Sequence, residues 1–305
     1  MAHDPVVNPS RSVCAIVVTY NGGAIVRESL SAIAPQVDHV VIVDNGSDEQ
    51  TLKVIREFGQ RPGGASIIIN DSNKGLGFAL NQGVRFALER EFDWVLTLDQ
   101  DSKAGPEMVR QMLDLYDRQA DKESIAVIGP RSIFMRNGAH GDQQPVDKLP
   151  EVCEVDLLHT SGNMVRSSAF RTVGLFREEF FIDQIDYDFC FRLKRSGLKV
   201  VVAGDVTMNH RPGDLRTVRF LHRRVCCSNY SAERRYYIAR NGVVLTRETG
   251  QWWFTRRHWA LLFKESVKVL LYESDKTGKL ILTIKGIKDG LMGISGPIQA
   301  PRVQP

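Results

Sequence analysis

The sequence predicts an α/β protein: a mostly parallel, Rossmann-like sheet flanked by helices, followed by a basic helical C-terminal extension. Three observations lead there. From Val13 onward, short β-branched runs alternate with stretches of helical period. The runs are almost continuously apolar, which fits strands buried on both faces by helices rather than strands with one wet face. Charge is also divided unevenly. Residues 215–305 hold 17 Lys and Arg against 6 Asp and Glu, and residues 1–214 hold 23 against 30. A net charge of +4 therefore conceals an acidic body of −7 and a basic end of +11.

In order along the chain, Val13 to Val18, Val40 to Val43, Ala65 to Ile69 and Trp94 to Leu98 read as strands. Helices fill the gaps, including one over Phe78 to Leu88 and one beginning near Pro106. Asn137 to Val152 is rich in Gly, Pro, Gln and Asp without a period and reads as a lid-like loop. An extended segment ending at Thr160-Ser161-Gly162-Asn163, a helix from about Tyr187 to Ser196 and a strand from Leu198 to Ala203 follow. Beyond Leu215 the pattern is helical, with Trp259, Phe263, Val267 and Leu270 forming an apolar stripe. The expected division is a flexible start at 1–12, an α/β catalytic domain at 13–214 and a basic helical region at 215–305.

Several classes are disfavoured. The five cysteines are odd in number, lack C-x-x-C spacing and include the vicinal pair Cys226 and Cys227, so reduced thiols are expected. Met1 to Ser12 lacks the basic and apolar regions of a signal peptide, which points to the cytoplasm. No apolar run approaches the roughly 20 residues that cross a bilayer. The basic end implies an anionic partner. Nucleic acid is not expected, since no recognised binding module accompanies the charge.

The polar residues gather where ligands gather in parallel sheets, just past strand ends. These are Thr19-Tyr20-Asn21, Asp44-Asn45-Gly46-Ser47 and Asp99-Gln100-Asp101. Asp99 and Asp101, at i and i+2 after a buried strand, suit a hard divalent ion bridging a diphosphate. An isolated D-x-D is more often a solvated turn; the company of the other strand ends reverses that balance. Asp44 can accept the imide N–H of a uracil or thymine ring, with Asn45 and Ser47 donating to ribose or phosphates, although Asp-Asn-Gly is also a good turn sequence. Asn73-Lys74-Gly75-Leu76-Gly77 opens a helix that carries Asn81 and Gly83 one turn on, and its glycines permit close approach to a phosphate or sugar. Phe180 to Cys190 places Asp183, Asp186 and Asp188 beside aromatics at a helix entry. One of the three is a candidate base; Asp188 can instead pair with Arg192 at i+4. His210 completes the set as a metal or phosphate contact, weighed against a packed role.

Taken in order, these residues resemble glycosyltransferase family 2 enzymes of the GT-A fold, and within them the bacterial rhamnosyltransferase-like branch. The resemblance runs from about Val13 to Asp214, with a tail to Asn241. It rests on Ile16-Val17-Val18-Thr19-Tyr20-Asn21, Val43-Asp44-Asn45-Gly46-Ser47, Asn73 to Gly83, Leu98-Asp99-Gln100-Asp101-Ser102, Ser161-Gly162-Asn163, Phe181-Ile182-Asp183-x-x-Asp186, His210-x-x-Gly213-Asp214 and Arg235-Tyr236-Tyr237-x-x-Arg240-Asn241. The elements are specific jointly, not singly. The resemblance implies an inverting enzyme that moves a sugar from a nucleotide diphosphate to an acceptor hydroxyl. Thr19, Tyr20, Asn21, Asp44, Asn45, Ser47, Asn73, Gly75, Asn81, Asp99 and Gln100 would line the nucleotide site. Asp99, Asp101 and His210 would hold Mg²⁺ or Mn²⁺, Asp186 would be the base with Asp183 as second carboxylate, and Ser161, Gly162, Asn163 and Asp188 would face the sugars. The common family pattern has a Glu-Asp pair before the helix; here Ile185 takes the Glu position, as in the rhamnosyl branch, which favours dTDP-L-rhamnose as donor.

The basic end then suits a lipid-linked saccharide acceptor at the cytoplasmic face of the inner membrane, with Trp252, Trp253 and Trp259 suited to the interface. Packing of the stripe on the catalytic domain, or a homodimer, is the competing expectation. Other UDP- or dTDP-sugars remain alternative donors. A nucleotidyltransferase would carry a basic residue in the loop after the first strand, and Thr19-Tyr20-Asn21-Gly22-Gly23 has none. A non-catalytic sugar-nucleotide or membrane-binding module would bind donor without turnover.

Overall fold

The apolar runs become strands whose alternate side chains enter two separate cores. A computed structural model describes residues 11–61, 63–134, 150–210, 216–220 and 223–298. Its first half alternates β1 (Val13–Thr19), α1 (Ile25–Ile33), β2 (His39–Asp44), α2 (Glu49–Gly59), β3 (Ser66–Ile69), α3 (Leu76–Glu89) and β4 (Trp94–Asp99). Next come β5 (Ser102–Ala104), α4 (Met108–Asp117), β6 (Ile125–Phe134), β7 (Val152–Glu154), β8 (Asn163–Arg166), α5 (Ser167–Val173), α6 (Ile185–Arg195) and β9 (Lys199–His210). The chain continues with β10 (Arg216–Phe220), β11 (Arg223–Cys227), α7 (Ala232–Thr249), α8 (Trp252–Tyr272) and α9 (Lys276–Leu291).

Among the described residues, nine strands make one sheet in the order β3-β2-β1-β4-β8-β6-β9-β5, with β7 also on β9. Val13, Ala15 and Val17 of β1 pack with α1, α2 and α4 on one face. Cys14 and Ile16 pack with α3, α5, α6 and residues of α7 and α8 on the other. This two-sided burial is why the strands show no polar alternation. Asp48 caps α2, its carboxylate accepting from the Thr51 amide at 2.9 Å.

The structure bears out the α/β sheet with flanking helices and differs from the expectation in detail. The sheet is parallel from β3 through β4, but β8 runs antiparallel to both β4 and β6, so the second half is mixed. The extended segment before Asn163 holds the short strand β7, and β8 begins at Asn163. After residue 215 a β-hairpin, β10–β11, precedes the helices, and helical structure starts only at Ala232. The hairpin follows from the β-branched Thr217, Val218 and Val225, whose strand preference outweighs the expected helical period. The expected lid, Asn137 to Val152, lies outside the described residues as far as 149. All five cysteines are free.

Candidate active site

Register brings the three strand ends level. Thr19 pairs with Asp44 across β1 and β2, and Val18 pairs with Asp99 across β1 and β4. Strand order runs from β1 to β2 and β3 on one side and jumps to β4 on the other. The crevice beyond β1 and β4 is therefore the switch point at which open α/β sheets bind ligands.

Two reciprocal bonds close the floor of that crevice. The Tyr20 amide donates to Gln100 Oε1 at 2.8 Å, and Gln100 Nε2 donates to the Tyr20 carbonyl at 3.1 Å. The Asn21 amide donates to Ser47 Oγ at 3.0 Å, while Asn21 Oδ1 accepts from the Asp48 amide at 2.9 Å. Tyr20, Asn21 and Asn73 are exposed and line the mouth.

Behind them is a wall of residues expected at the ligand surface. Asp44 is fully buried: Oδ1 accepts from Thr19 Oγ1 at 2.8 Å and Oδ2 from the Gly46 and Ser47 amides at 3.2 and 2.9 Å. Its carboxylate holds the turn. Asn45 donates to Asn73 Oδ1 at 2.9 Å and the Gly75 carbonyl at 3.2 Å, and accepts from the Lys74 amide at 3.0 Å. It therefore shapes the loop ahead of α3. Asn81 grips the Phe176 backbone in both directions, 2.9 Å each way, and bonds Glu178 at 2.8 Å. Ser161 accepts from the Asp99 amide at 3.0 Å and donates to Ser102 Oγ at 2.8 Å. Gly162 has a left-handed φ of +86° against Met208, and Asn163 is buried with its amide on the His159 carbonyl at 2.6 Å. Asp188 is buried and paired with Arg192 at 2.8 Å. Asp44, Asn45, Asn81, Ser161 and Asp188 thus have hydrogen bonds within the scaffold, whereas the buried Asn163 Oδ1 has no partner among the described residues.

The acidic side of the cleft is built on an unusual turn. Phe181, Asp183 and Gln184 all take positive φ, at +63°, +62° and +65°, without a glycine among them. Such backbone costs of order 1–3 kcal/mol per residue and persists only where its surroundings impose it. Here α7 imposes it. The Asn241 side-chain amide donates to the carbonyls of Phe180, Ile182 and Asp183 at 2.9, 2.9 and 3.0 Å. Arg240 reaches the Glu179 carbonyl at 2.8 Å, and the Phe181 ring stacks on Tyr237 at 4.9 Å. From the other side, the Leu76 amide donates to the Phe181 carbonyl at 2.6 Å, which Gly75, at φ +93°, makes room for.

The turn aims two carboxylates differently. Asp183 accepts from Arg234 Nε and Nη2 at 3.0 Å each; burial pushes its carboxyl up while the guanidinium pulls it down. Asp186, in the first turn of α6, accepts from the Tyr187 amide at 2.9 Å and lies 3.1 Å from His159 Nδ1. That bond raises the pKa of the exposed His159 above the ordinary imidazole value. The Asp99 amide donates to Ser161 Oγ at 3.0 Å, and His159, two residues earlier, meets Asp186 at 3.1 Å, so the end of β4 and the turn before α6 lie close together.

Asp101 borders a cavity of about 100 Å³ with Glu28, Ser29, Lys103 and Asn209. Asp99 and Asp101 are of the residue type that could hold a hard divalent cation, which commonly takes one or two protein carboxylates and fills its shell with phosphate and water oxygens. Among the described residues no three His, Cys, Asp or Glu side chains cluster as a metal site. His210 pairs with Ser102 in the β5–β9 ladder, which sets its backbone beside the carboxylates; its side chain lies outside the described residues. Sequence reading missed His159 and Arg234, and it gave Arg240 and Asn241 no role. The only cues were the nearness of His159 to the Ser161-Gly162-Asn163 stretch and of Arg234 to the quoted Arg235 stretch.

A switch-point crevice edged by Asp99, with Asp186 nearby before α6, suits displacement of a diphosphate by an alcohol, and the class of enzyme is a glycosyltransferase. The chain belongs to glycosyl transferase family 2, whose profile residues 14–196 match. It is 26% identical to dTDP-rhamnosyl transferase RfbF of Shigella flexneri over 93% of this chain and 97% of the relative. It is 25% identical to N-acetylglucosaminyl-diphospho-decaprenol L-rhamnosyltransferase of Mycobacterium tuberculosis over 64% of this chain and 75% of that one. Among solved structures, S. aureus TarS 1-349 in complex with UDP-GlcNAc superposes with a TM-score of 0.62 at 19% identity, covering 93% of this chain and 81% of that one. That likeness is one of fold.

Proposed function

We propose that the chain is an inverting, metal-dependent rhamnosyltransferase that moves L-rhamnose from dTDP-β-L-rhamnose to a hydroxyl of a lipid-linked saccharide in cell-surface polysaccharide synthesis. The observation that supports this reading is the closeness of the β4 end to the turn before α6: Asp99 bonds Ser161 through its amide at 3.0 Å, and His159 of the same loop bonds Asp186 at 3.1 Å. Tyr20, Asn21, Ser47, Asn73 and Gln100 line the nucleotide side. Asp99 and Asp101, with His210, would hold Mg²⁺ or Mn²⁺, which when bound balances the charge of the departing diphosphate. Asp186 is the carboxylate on which deprotonation of the acceptor depends, and one direct displacement inverts the anomeric centre. The two rhamnosyltransferase relatives support the donor.

The surface of α8 and α9 supports a membrane-borne acceptor. Trp259, Phe263, Val267 and Leu270 are exposed, Phe263 at 74%, so the stripe does not pack on the catalytic domain. Trp252, Ile281, Ile284, Leu291 and Met292 extend it. No helix among the described residues is long and apolar enough to cross a membrane. An apolar strip flanked by lysines and arginines fits the anionic cytoplasmic leaflet of the inner membrane, and flotation of the full chain with phosphatidylglycerol vesicles tests it; a stable homodimer without flotation would assign the strip to self-association.

The test of function is turnover of a panel of dTDP- and UDP-sugars with a polyprenyl-diphosphate saccharide acceptor, with and without EDTA. Transfer from dTDP-rhamnose, lost on chelation and restored by Mg²⁺ or Mn²⁺, is expected. The Asp186→Asn variant should lose transfer by roughly 10²–10⁴-fold while still binding donor. Turnover indifferent to chelation, or an active Asp186→Asn enzyme, would overturn these roles.

A further inference from the structure

We infer that His159 receives the proton of the acceptor hydroxyl and that Asp186 orients the imidazole and balances its charge. The inference rests on the glycosyl-transfer reading of the cleft and assigns the proton within it. The pair is layered. Asp186 keeps 15% of its side chain exposed and His159 73%, so the ring stands in front of the carboxylate. Both Asp186 oxygens are engaged, Oδ1 by the Tyr187 amide at 2.9 Å and Oδ2 by His159 Nδ1 at 3.1 Å. A carboxylate at Nδ1 keeps the proton of the neutral ring there, which leaves the Nε2 lone pair as the basic site directed away from Asp186.

The backbone that carries the ring is fixed. The His159 carbonyl accepts from Asn163 Nδ2 at 2.6 Å, and the Thr160 carbonyl accepts from Thr97 Oγ1 at 2.6 Å. The ring leans on Tyr187, with centroids 5.7 Å apart. The charged and titratable groups around it are Asp183, Asp186 and Tyr187 from the turn and α6, Asp99 from β4, and Arg257 from α8. Asp183 is balanced by Arg234 of α7, so Asp186 in direct contact and Asp99 beyond it act against Arg257 and favour the imidazolium that proton transfer creates.

The step balances without further reactants. The acceptor oxygen forms its bond to the anomeric carbon, and its proton passes to His159 Nε2. The bond between the anomeric carbon and the diphosphate oxygen breaks, and the nucleoside diphosphate leaves with the electron pair. Imidazolium then returns the proton to water.

The experiment compares wild-type enzyme with His159→Gln, His159→Ala and Asp186→Asn, measuring kcat against pH and dTDP affinity by calorimetry. His159→Gln should lose kcat by roughly 10²–10⁴-fold with dTDP affinity within about twofold, and added imidazole should partly restore His159→Ala. The acidic limb of the wild-type kcat profile should fall above the ordinary imidazole value and disappear in His159→Gln. A His159→Gln enzyme within about threefold of wild-type kcat, with its acidic limb intact, would overturn the inference and return the base to Asp186, and the transferase reading would still stand. Absence of sugar transfer by the wild-type protein would remove both.

Discussion

Replacing Asn241 with alanine tests whether α7 clasps the catalytic turn. The side-chain amide serves three carbonyls, those of Phe180, Ile182 and Asp183. The Phe180 carbonyl keeps a second donor in Arg240 at 3.3 Å, whereas the other two lose their bond from Asn241. Leaving a buried acceptor unpaired costs about 1–3 kcal/mol, and these two are partly buried, so the loss should be about 2–4 kcal/mol. It falls on a turn already holding three positive-φ residues, so relaxation of the backbone is the cheapest response. That relaxation would move Asp183 and Asp186 together, and a shift of about 1 Å at a reacting group can cost on the order of 10²-fold in rate. Urea denaturation followed by tryptophan fluorescence gives the stability change, and initial rates with saturating donor give kcat. Donor binding should survive, because Tyr20, Asn21 and Gln100 bond to each other and to the β2 turn rather than to α7. Wild-type stability and kcat in the Asn241→Ala variant, or a loss confined to donor affinity, would refute the clasp.

Three further outcomes are expected. Gly75→Ala should destabilise by about 2–3 kcal/mol and lower kcat, since a Cβ there would sit 2.8 Å from the Phe181 carbonyl on a backbone at φ +93°; a neutral effect in thermal melts would show that the loop yields. Asp188→Asn should cost ~2 kcal/mol, less than for a fully buried pair because Arg177 and Arg192 are each 26% exposed, while kcat per folded molecule stays near wild type. A selective loss of acceptor affinity in that variant would return Asp188 to the sugar site. His258, buried between α7 and α8, has its pKa lowered to about 4 by burial, so its stabilising contribution is complete above the ordinary value of 6.5 and is lost as pH falls from there toward 4. That linkage amounts to roughly 3 kcal/mol at most, and urea melts at pH 7.5 and 4.5 should differ less in His258→Gln than in wild type.

The strand ends were legible because burial and register follow from local pattern: four apolar runs, each ending in polar residues, fix Thr19, Asp44 and Asp99 at one edge. Asp188 was legible in part, since its pairing with Arg192 is an i to i+4 relation. What escaped depends on distance along the chain. His159 meets Asp186 across 27 residues and Arg234 meets Asp183 across 51, and neither pairing leaves a periodic trace. The left-handed turn at Phe181, Asp183 and Gln184 contains no glycine to announce it. Asp44 and Asn45 stand at the end of β2, but whether a polar side chain faces a ligand or braces the turn beneath it depends on depth, which sequence does not encode.

Arg240 and Asn241 lie well past the end of the family match at residue 196, yet they hold the loop from which the acid side of the cleft is aimed. A shortened protein ending where the α/β alternation ends would keep every carboxylate and still have lost the part that points them. In this enzyme the C-terminal region exposes an apolar strip on α8 and clasps the turn before α6 through α7, so grafting that region onto another catalytic body would carry away the residues that hold the turn.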